Sequence, residues 1–229
     1  REYHAVTRGW IVNEIFRRIE PGRRTMGEYL REHISEPLGI DVYFDINANE
    51  ARRLSRVQPR RLMSQLLDSF SPGSQARRIG LTPGELFKRG RRVLAAVSGS
   101  RRPALALPIK GIKTEGFGVF DSPEYLQAQI PSAGAKCSAR GLAKLAAAMA
   151  NGGQIQGHRV LGQTALDALH ADPVERTMTI MKNRFTQGGL AHFKASDGAK
   201  GPLEAGMSVG RDGFYGWFGL GGSVFQWHP

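Results

Sequence analysis

The strongest constraint on the fold of this 229-residue chain is a glycine-rich run close to the end of the sequence. The run, Gly216 to Ser223, leads directly into the alternating residues Val224 to Trp227. A period of two is typical of a β-strand, and glycine allows a backbone to turn sharply and to approach a ligand closely. The pattern therefore predicts a glycine-hinged edge strand beside a binding site.

Composition and length are typical of a globular protein. Apolar residues make up 41% of the chain, which suffices for one large domain or two small ones. No apolar run is long enough to span a bilayer, and the first residues lack the layout of a signal peptide. The single cysteine, Cys137, excludes an internal disulfide. We therefore expect no transmembrane segment, and a reducing compartment (cytoplasm or mitochondrion) is favoured over secretion.

Nearly all of the net charge of +12 is concentrated in residues 52–102, here called the basic segment. It contains thirteen Lys or Arg and two acidic residues, a net charge of +11. The basic residues are Arg52, Arg53, Arg56, Arg60, Arg61, Arg77, Arg78, Lys88, Arg89, Arg91, Arg92, Arg101 and Arg102, and the acidic ones are Asp68 and Glu85. Such a segment attracts RNA, acidic lipid or an acidic protein face. A solvated connection has the same composition, so the sequence predicts an insertion or linker and leaves its partner open.

Helical patterns occupy the first part of the sequence. Residues 9–19 have apolar side chains at spacings of three and four, which predicts one buried helix face. These side chains are Val12, Ile15, Phe16 and Ile19. Thr25 and Glu28 form a capping box for a second helix, which we expect to stop before Pro37.

A third helix is predicted over residues 139–150, with Ser138 as its N-cap and Asn151-Gly152-Gly153 as its end. Strand-like segments follow late in the sequence. Helices in one block and strands in another indicate an α+β fold.

Four segments resemble motifs of the serine β-lactamase-related family, which includes class C β-lactamases, family VIII esterases, penicillin-binding proteins and eukaryotic β-lactamase-domain proteins. They are Tyr3 to Gly9, Ile130 to Ala143, Phe185 to Gly189, and Gly216 to Ser223, and they occur in the order of the family. The resemblance implies a β-lactamase/transpeptidase-like fold, with residues 1–229 supplying mostly the helical half and part of the antiparallel sheet half. It also implies that the sequence is incomplete at both ends.

The resemblance implies roles for particular residues. In this family a serine hydroxyl is the nucleophile, and a lysine and a tyrosine phenol take up its proton. Tyr3 matches that tyrosine, and the backbone N–H of Leu220 matches an oxyanion donor. Trp217, Phe218 and Gly219 stand where the family usually has Lys-Thr-Gly or His-Thr-Gly. This difference favours an apolar ester, amide or peptide over a penicillin-like substrate, although the two aromatic side chains could instead pack the sheet.

The nucleophile motif Ser-x-x-Lys is absent from the sequence. Ser196 and Lys200 have a spacing of four rather than three. Gly206 to Gly210 matches the Gly-x-Ser-x-Gly elbow of another hydrolase fold, but its loop-like surroundings argue against that role. The six histidines lack metal-ligand spacing, so no metal or other cofactor is expected.

Two functions follow from these patterns. The first is a serine hydrolase of β-lactamase-like fold whose nucleophile lies outside this chain, so that residues 1–229 alone should be inactive. The alternative is a non-catalytic β-lactamase-like subunit of a larger assembly or homo-oligomer, which binds an anionic partner through the basic segment. The sequence leaves the substrate open in the first case and the partner open in the second.

Overall fold

Among the described residues, helices predominate up to Phe70, and the elements after His170 are antiparallel strands. The computed structural model describes residues 7–57, 62–74, 82–88, 90–91, 120–178, 181–194, 211–219 and 223–229. The chain divides into two compact units. The first comprises Arg1–Val57, Gly111–His192 and Gly213–Pro229, and the second comprises Gln58–Lys110 and Phe193–Asp212. The prediction that residues 52–102 form an insertion or linker within a partial β-lactamase-like domain stays a prediction.

The first unit contains seven described helices. They are α1 (Thr7–Ile19), α2 (Met26–Leu30), α3 (Glu36–Leu38), α4 (Ala48–Ala51), α6 (Pro123–Gln127), α7 (Ala139–Ala150) and α8 (Gln163–His170). Helix α5 (Leu62–Phe70) lies in the second unit, where residues 83–88 are also helical. No helix in the described ranges has the length and apolar character needed to cross a membrane.

The described strands form three antiparallel sheets, all in the first unit. β1 (Val42–Tyr43) pairs with β2 (Lys136–Cys137), and β3 (Gln154–Ile155) pairs with β4 (His158–Arg159). The remaining strands form a five-stranded meander in sequence order. They are β5 (Val174–Met178), β6 (Met181–Phe185), β7 (Ala191–His192), β8 (Tyr215–Phe218) and β9 (Val224–Trp227).

The edge strand predicted from the glycine run is β9, which follows the run. β9 is the last strand in the order of the meander, whereas β8 pairs with β7 on one side and β9 on the other. The start of the run is therefore built into an internal strand. The remainder belongs to the β8–β9 connection, of which residues 220–222 lie outside the described residues.

The prediction of a buried face on α1 was wrong in this structure. Val12, Ile15 and Ile19 are exposed, and only Phe16 makes a described ring contact, an edge-to-face contact with Tyr29 at 5.3 Å. Periodicity identifies side chains that share a helix face. It does not determine whether another surface covers that face.

The second helix also continues beyond its predicted end. The capping box is present, with Glu28 N–H donating to Thr25 Oγ1 at 3.2 Å and Thr25 N–H to the Glu28 carboxylate at 2.7 Å. A π-helical turn over Arg31–Ser35 then joins α2 to α3, and Pro37 lies in the first turn of α3. Proline lacks an N–H, and the first turn of a helix needs none there.

Two apolar clusters formed by described residues stabilise the first unit. One contains Leu38, Ile40 and Val42, with helix α7 packing against it through Leu145. The other contains Met149, Leu166 and Trp227, which join α7 and α8 to the five-stranded sheet. The predicted helix over 139–150 is thereby confirmed, including its cap: Gly141 N–H donates to Ser138 Oγ at 3.1 Å. A layer of helices on one antiparallel sheet is the expected α+β arrangement.

Candidate active site

The candidate substrate residues Trp217, Phe218 and Gly219 lie at the end of β8. Trp217 is paired with Phe225 and Phe218 with Val224 on β9. The Gly219 N–H donates to the Ser223 carbonyl oxygen at 2.7 Å, which closes the connection between the two strands. Leu220, the expected oxyanion donor, lies within this connection but outside the described residues, as do Tyr3 and the Gly206–Gly210 motif.

Gly216 is the position on β8 where only glycine fits. Its φ of +134° is a conformation that L side chains rarely adopt. A Cβ atom there would also collide with the Phe225 carbonyl oxygen and lie 2.8 Å from Gln226 Cα. The backbone of β8 therefore approaches β9 closely immediately before the two aromatic residues.

Trp217 is half-buried against another of the four motif segments. Its ring lies 5.2 Å from that of Phe185, the last residue of β6 and the first residue of the Phe185–Gly189 motif. Phe218 is also half-buried, whereas Gly219 is exposed. Contact with Phe185 is compatible with a wall of a substrate cleft and equally with packing of the sheet.

The first motif segment contacts the second. Helix α1 begins within the Tyr3–Gly9 motif, and its Gly9 is buried against Ser132 of the Ile130–Ala143 segment. A Cβ atom on Gly9 would lie 2.7 Å from the Ser132 backbone nitrogen. A glycine is therefore required where the helix crosses this segment.

The first segment also contacts the third. The guanidinium of Arg8 lies over Gly189, and its Cζ would be 3.2 Å from a Cβ atom placed there. Gly189 has φ +81° and belongs to a turn in which the buried Thr186 exchanges backbone hydrogen bonds with Gly189 and Leu190. The Thr186 hydroxyl accepts a further bond from Leu190 N–H at 3.1 Å.

These contacts form a continuous path through the first unit. Ser132 contacts Gly9, the neighbouring Arg8 contacts Gly189, and Phe185 of the same turn contacts Trp217. Segments that are separated by more than one hundred positions in sequence are thus neighbours in space. The sequence order of the motifs could not show this convergence, because it depends on the tertiary path of the chain.

Two solved structures are similar to this chain in overall fold. A penicillin-binding protein homologue from Caulobacter crescentus superimposes with a TM-score of 0.60 and 22% sequence identity, over 100% of this chain and 49% of the other. A family VIII carboxylesterase superimposes with a TM-score of 0.62 and 22% identity, over 99% of this chain and 49% of the other. The chain has the β-lactamase/transpeptidase fold. It spans about half the length of the structures it matches.

The fold implied by the motif resemblance is thereby confirmed. No protein-family profile matches the sequence, and no curated protein matches it significantly. The assignment of the fold therefore rests on the architecture alone.

Behind the motif segments of this β-lactamase-type fold, an aromatic cluster joins α8 to the sheet. The Trp227 indole N–H donates to His170 Nε2 at 3.0 Å, and the His170 and Tyr215 rings lie 4.3 Å apart. Partial burial lowers the pKa of His170, because the charged imidazolium loses hydration there. Its Nε2 must be unprotonated to accept the indole bond. His170 is therefore neutral in this arrangement and has a structural role.

In this β-lactamase-type fold Tyr125, a buried tyrosine outside the Tyr3–Gly9 motif, is unsuited to act as a base. Burial raises its pKa to about 12, and its hydroxyl donates to the Ala133 carbonyl oxygen at 3.1 Å. The nearby Lys136 ammonium donates to the Phe120 carbonyl at 2.8 Å, and desolvation lowers its pKa. Both groups brace the chain that leads into α7. Within the described ranges, no group of three or more His, Cys, Asp or Glu side chains is placed to hold a metal ion.

Proposed function

We propose that this chain forms part of a serine hydrolase that transfers an acyl group from an ester, amide or peptide to water. The observation that supports the proposal best is the convergence of the motif segments through Gly9, Gly189, Phe185 and Trp217. Both solved structures with the same fold belong to kinds of protein named for acyl chemistry or penicillin binding. The nucleophilic serine would come from residues outside positions 1–229.

The proposed reaction has two halves. The serine oxygen attacks the substrate carbonyl carbon as its proton passes to the base, and the leaving alcohol or amine departs with a proton. Water then attacks the acyl-serine ester, which releases the acid and restores the hydroxyl. Tyr3 is the proposed base. A phenol with a pKa of about 10 needs nearby positive charge to serve at neutral pH, and a lysine paired with the serine would supply it.

The proposed oxyanion donor is the backbone N–H of Leu220, acting together with the N–H of the nucleophile. Such donors stabilise the negative oxygen of the tetrahedral intermediate. Trp217 and Phe218 would form an apolar wall next to this donor, in place of the charged or imidazole residue that pairs with a substrate carboxylate. We therefore expect turnover of neutral esters rather than of penicillins.

The test uses the polypeptide that contains residues 1–229 together with the proposed nucleophile. A fluorophosphonate should label one serine covalently, and peptide mass spectrometry should locate it in a Ser-x-x-Lys sequence. Tyr3→Phe should reduce hydrolysis of p-nitrophenyl butyrate by at least about a hundredfold, the scale of a lost general base. Tyr43→Phe is the control. Absence of labelling in the folded protein would contradict the proposal.

A second candidate is a non-catalytic relative that binds an anionic partner through the basic segment. The replacement of polar site residues by Trp217 and Phe218 favours it, as does the net charge of +11 over residues 52–102. Heparin or RNA retention that weakens steeply with salt, in a protein that no fluorophosphonate labels, would support this candidate. Labelling and turnover with no such retention would favour the hydrolase.

A further inference from the structure

Helix α5 in the second unit exposes its apolar side chains. Met63, Leu66, Leu67 and Phe70 follow one another at spacings of three, one and three, so they share one face of the helix. Their exposed fractions are 66%, 41%, 65% and 63%. By contrast, Ser69 is completely buried and donates its hydroxyl proton to the Leu66 carbonyl at 2.6 Å. A helix that buries a polar residue and exposes four large apolar ones is oriented for a partner surface.

The end of this helix is fixed by local hydrogen bonds. Ser74 Oγ donates to the Asp68 carbonyl, and Ser71 N–H donates to the same carbonyl at 3.2 Å. These bonds hold the Ser71–Ser74 turn against the last turn of α5. The apolar face of the helix therefore ends in a defined turn rather than continuing into an extended strand.

Positive charge adjoins this helix in sequence on both sides. Arg60 and Arg61 immediately precede Leu62, and Arg77 and Arg78 follow the Ser71–Ser74 turn. The helix itself carries one acidic residue, Asp68, and no basic residue. An apolar helix face flanked in sequence by arginines is typical of a helix that lies in a membrane interface, where apolar side chains enter the acyl region and basic side chains attract anionic headgroups.

We propose that α5 docks on the surface of an anionic lipid membrane. Three of the four exposed side chains are aliphatic and offer no stacking surface for nucleobases, which favours lipid over RNA. The arginines supply the long-range attraction, and the apolar stripe inserts once the helix reaches the interface. This inference is independent of acyl transfer, because it requires neither Tyr3 nor a nucleophile.

The test is flotation of the purified protein with vesicles of phosphatidylcholine, with and without phosphatidylserine. Binding should require phosphatidylserine and weaken as salt rises. A Leu67→Gln/Phe70→Gln variant should lose about a hundredfold or more in vesicle affinity, because burial of each of the two side chains contributes at least the free energy of one decade. Arg60→Gln/Arg61→Gln should lose roughly thirtyfold, given about 1 kcal/mol for each of the two arginines at such a surface.

The matched control is Val174→Gln, which removes an exposed apolar side chain (45%) from strand β5 in the other unit. It should bind vesicles as the parent does, and all variants should keep the parental melting temperature. Phe70→Trp should retain binding, and brominated lipid should quench the fluorescence of the introduced tryptophan. Undiminished vesicle binding by Leu67→Gln/Phe70→Gln would overturn the proposal, and so would binding to RNA but not to vesicles. None of these measurements depends on hydrolase activity, so a loss of vesicle binding and a loss of acyl transfer can be told apart.

Discussion

At the scale of single residues, glycines set how closely the motif segments approach one another. Gly9 allows α1 to cross Ser132, and Gly216 allows β8 to approach β9. Both were part of the motif resemblance, but the reason for each became visible only in three dimensions. Sequence alone cannot distinguish a glycine needed for its φ angle from one needed because a neighbouring backbone occupies the space of a Cβ atom.

We expect Gly216→Ala to destabilise the protein by about 2 kcal/mol or more, because it adds backbone strain and a collision with the Phe225 carbonyl. The control is Gly39→Ala. Gly39 has φ +59°, and no atom lies within 4 Å of the position that a Cβ would occupy, so this change adds strain alone. Urea denaturation of both variants separates the two effects. Equal losses would contradict a collision at Gly216.

A second prediction concerns Trp217, whose ring contacts Phe185. If Trp217 lines the acyl cleft, Trp217→Ala should raise KM for p-nitrophenyl butyrate severalfold more than for p-nitrophenyl acetate, because only the longer acyl chain contacts the indole. If Trp217→Ala changed the stability but left the KM for each ester at its parental value, Trp217 would instead have a packing role. Trp217→Phe is the conservative control and should retain most of the preference.

At the scale of elements, local sequence signals predicted where helices begin better than where they end or which of their faces are buried. The Thr25–Glu28 capping box and the Ser138 cap are present because both depend on residues within one turn. The predicted end before Pro37 was wrong, because a π-helical turn placed that proline in the first turn of α3. The predicted burial of the α1 stripe was wrong because burial depends on a partner surface elsewhere in the chain.

Ser138→Ala should lower the free energy of unfolding by about 1 kcal/mol, since the Gly141 N–H at the start of α7 loses its acceptor. Thermal denaturation measures the change. Ser138→Asp should restore stability, because a carboxylate can accept the same bond and suits the positive end of a helix. If Ser138→Asp were as unstable as Ser138→Ala, the hydroxyl would have a role other than capping.

The stabilisation of the connection between α1 and α2 should decrease at acidic pH. Glu20 is buried and accepts bonds from the Arg24 guanidinium at 2.5 Å and the Arg24 N–H at 2.9 Å. The side-chain bond from Arg24 lowers the pKa of Glu20 from 4.5 to about 2. Its contribution to stability is therefore complete above pH 4.5 and is lost as pH falls toward 2. Glu20→Gln should be less stable at neutral pH, and the difference should narrow over that range in pH-dependent melting curves.

At the scale of the whole molecule, apolar and aromatic clusters of described residues join helices to sheets that are distant in sequence. The α+β class and the β-lactamase/transpeptidase fold were predictable, because both follow from the order of helical and strand-like segments and from the motifs. The contacts of the candidate site were not. Phe185 beside Trp217 and Arg8 over Gly189 depend on the path of the meander, which the local sequence does not encode.

The aromatic cluster predicts a dependence of overall stability on pH. Because burial lowers the pKa of His170 below 6.5, folding favours its neutral form, and stability should fall as pH decreases below 6.5. His170→Gln should flatten this decline in denaturation curves between neutral and mildly acidic pH. Trp227→Phe removes the indole donor and should cost about 1 kcal/mol at neutral pH while keeping the decline. If the stability of His170→Gln fell with decreasing pH as steeply as that of the parent, the decline would arise from other titrating groups.

The ladder between β1 and β2 joins parts of the chain that are far apart in sequence. It has two residue pairs, Val42 with Cys137 and Tyr43 with Lys136. The chain between them is about 90 residues long, and the entropy of closing so long a loop grows only with the logarithm of its length, so doubling it would cost about 0.6 kcal/mol. Length changes in the part of this loop that belongs to the second unit, residues 58–110, should therefore add little closure entropy. We expect such changes to leave the two residue pairs between β1 and β2 in place.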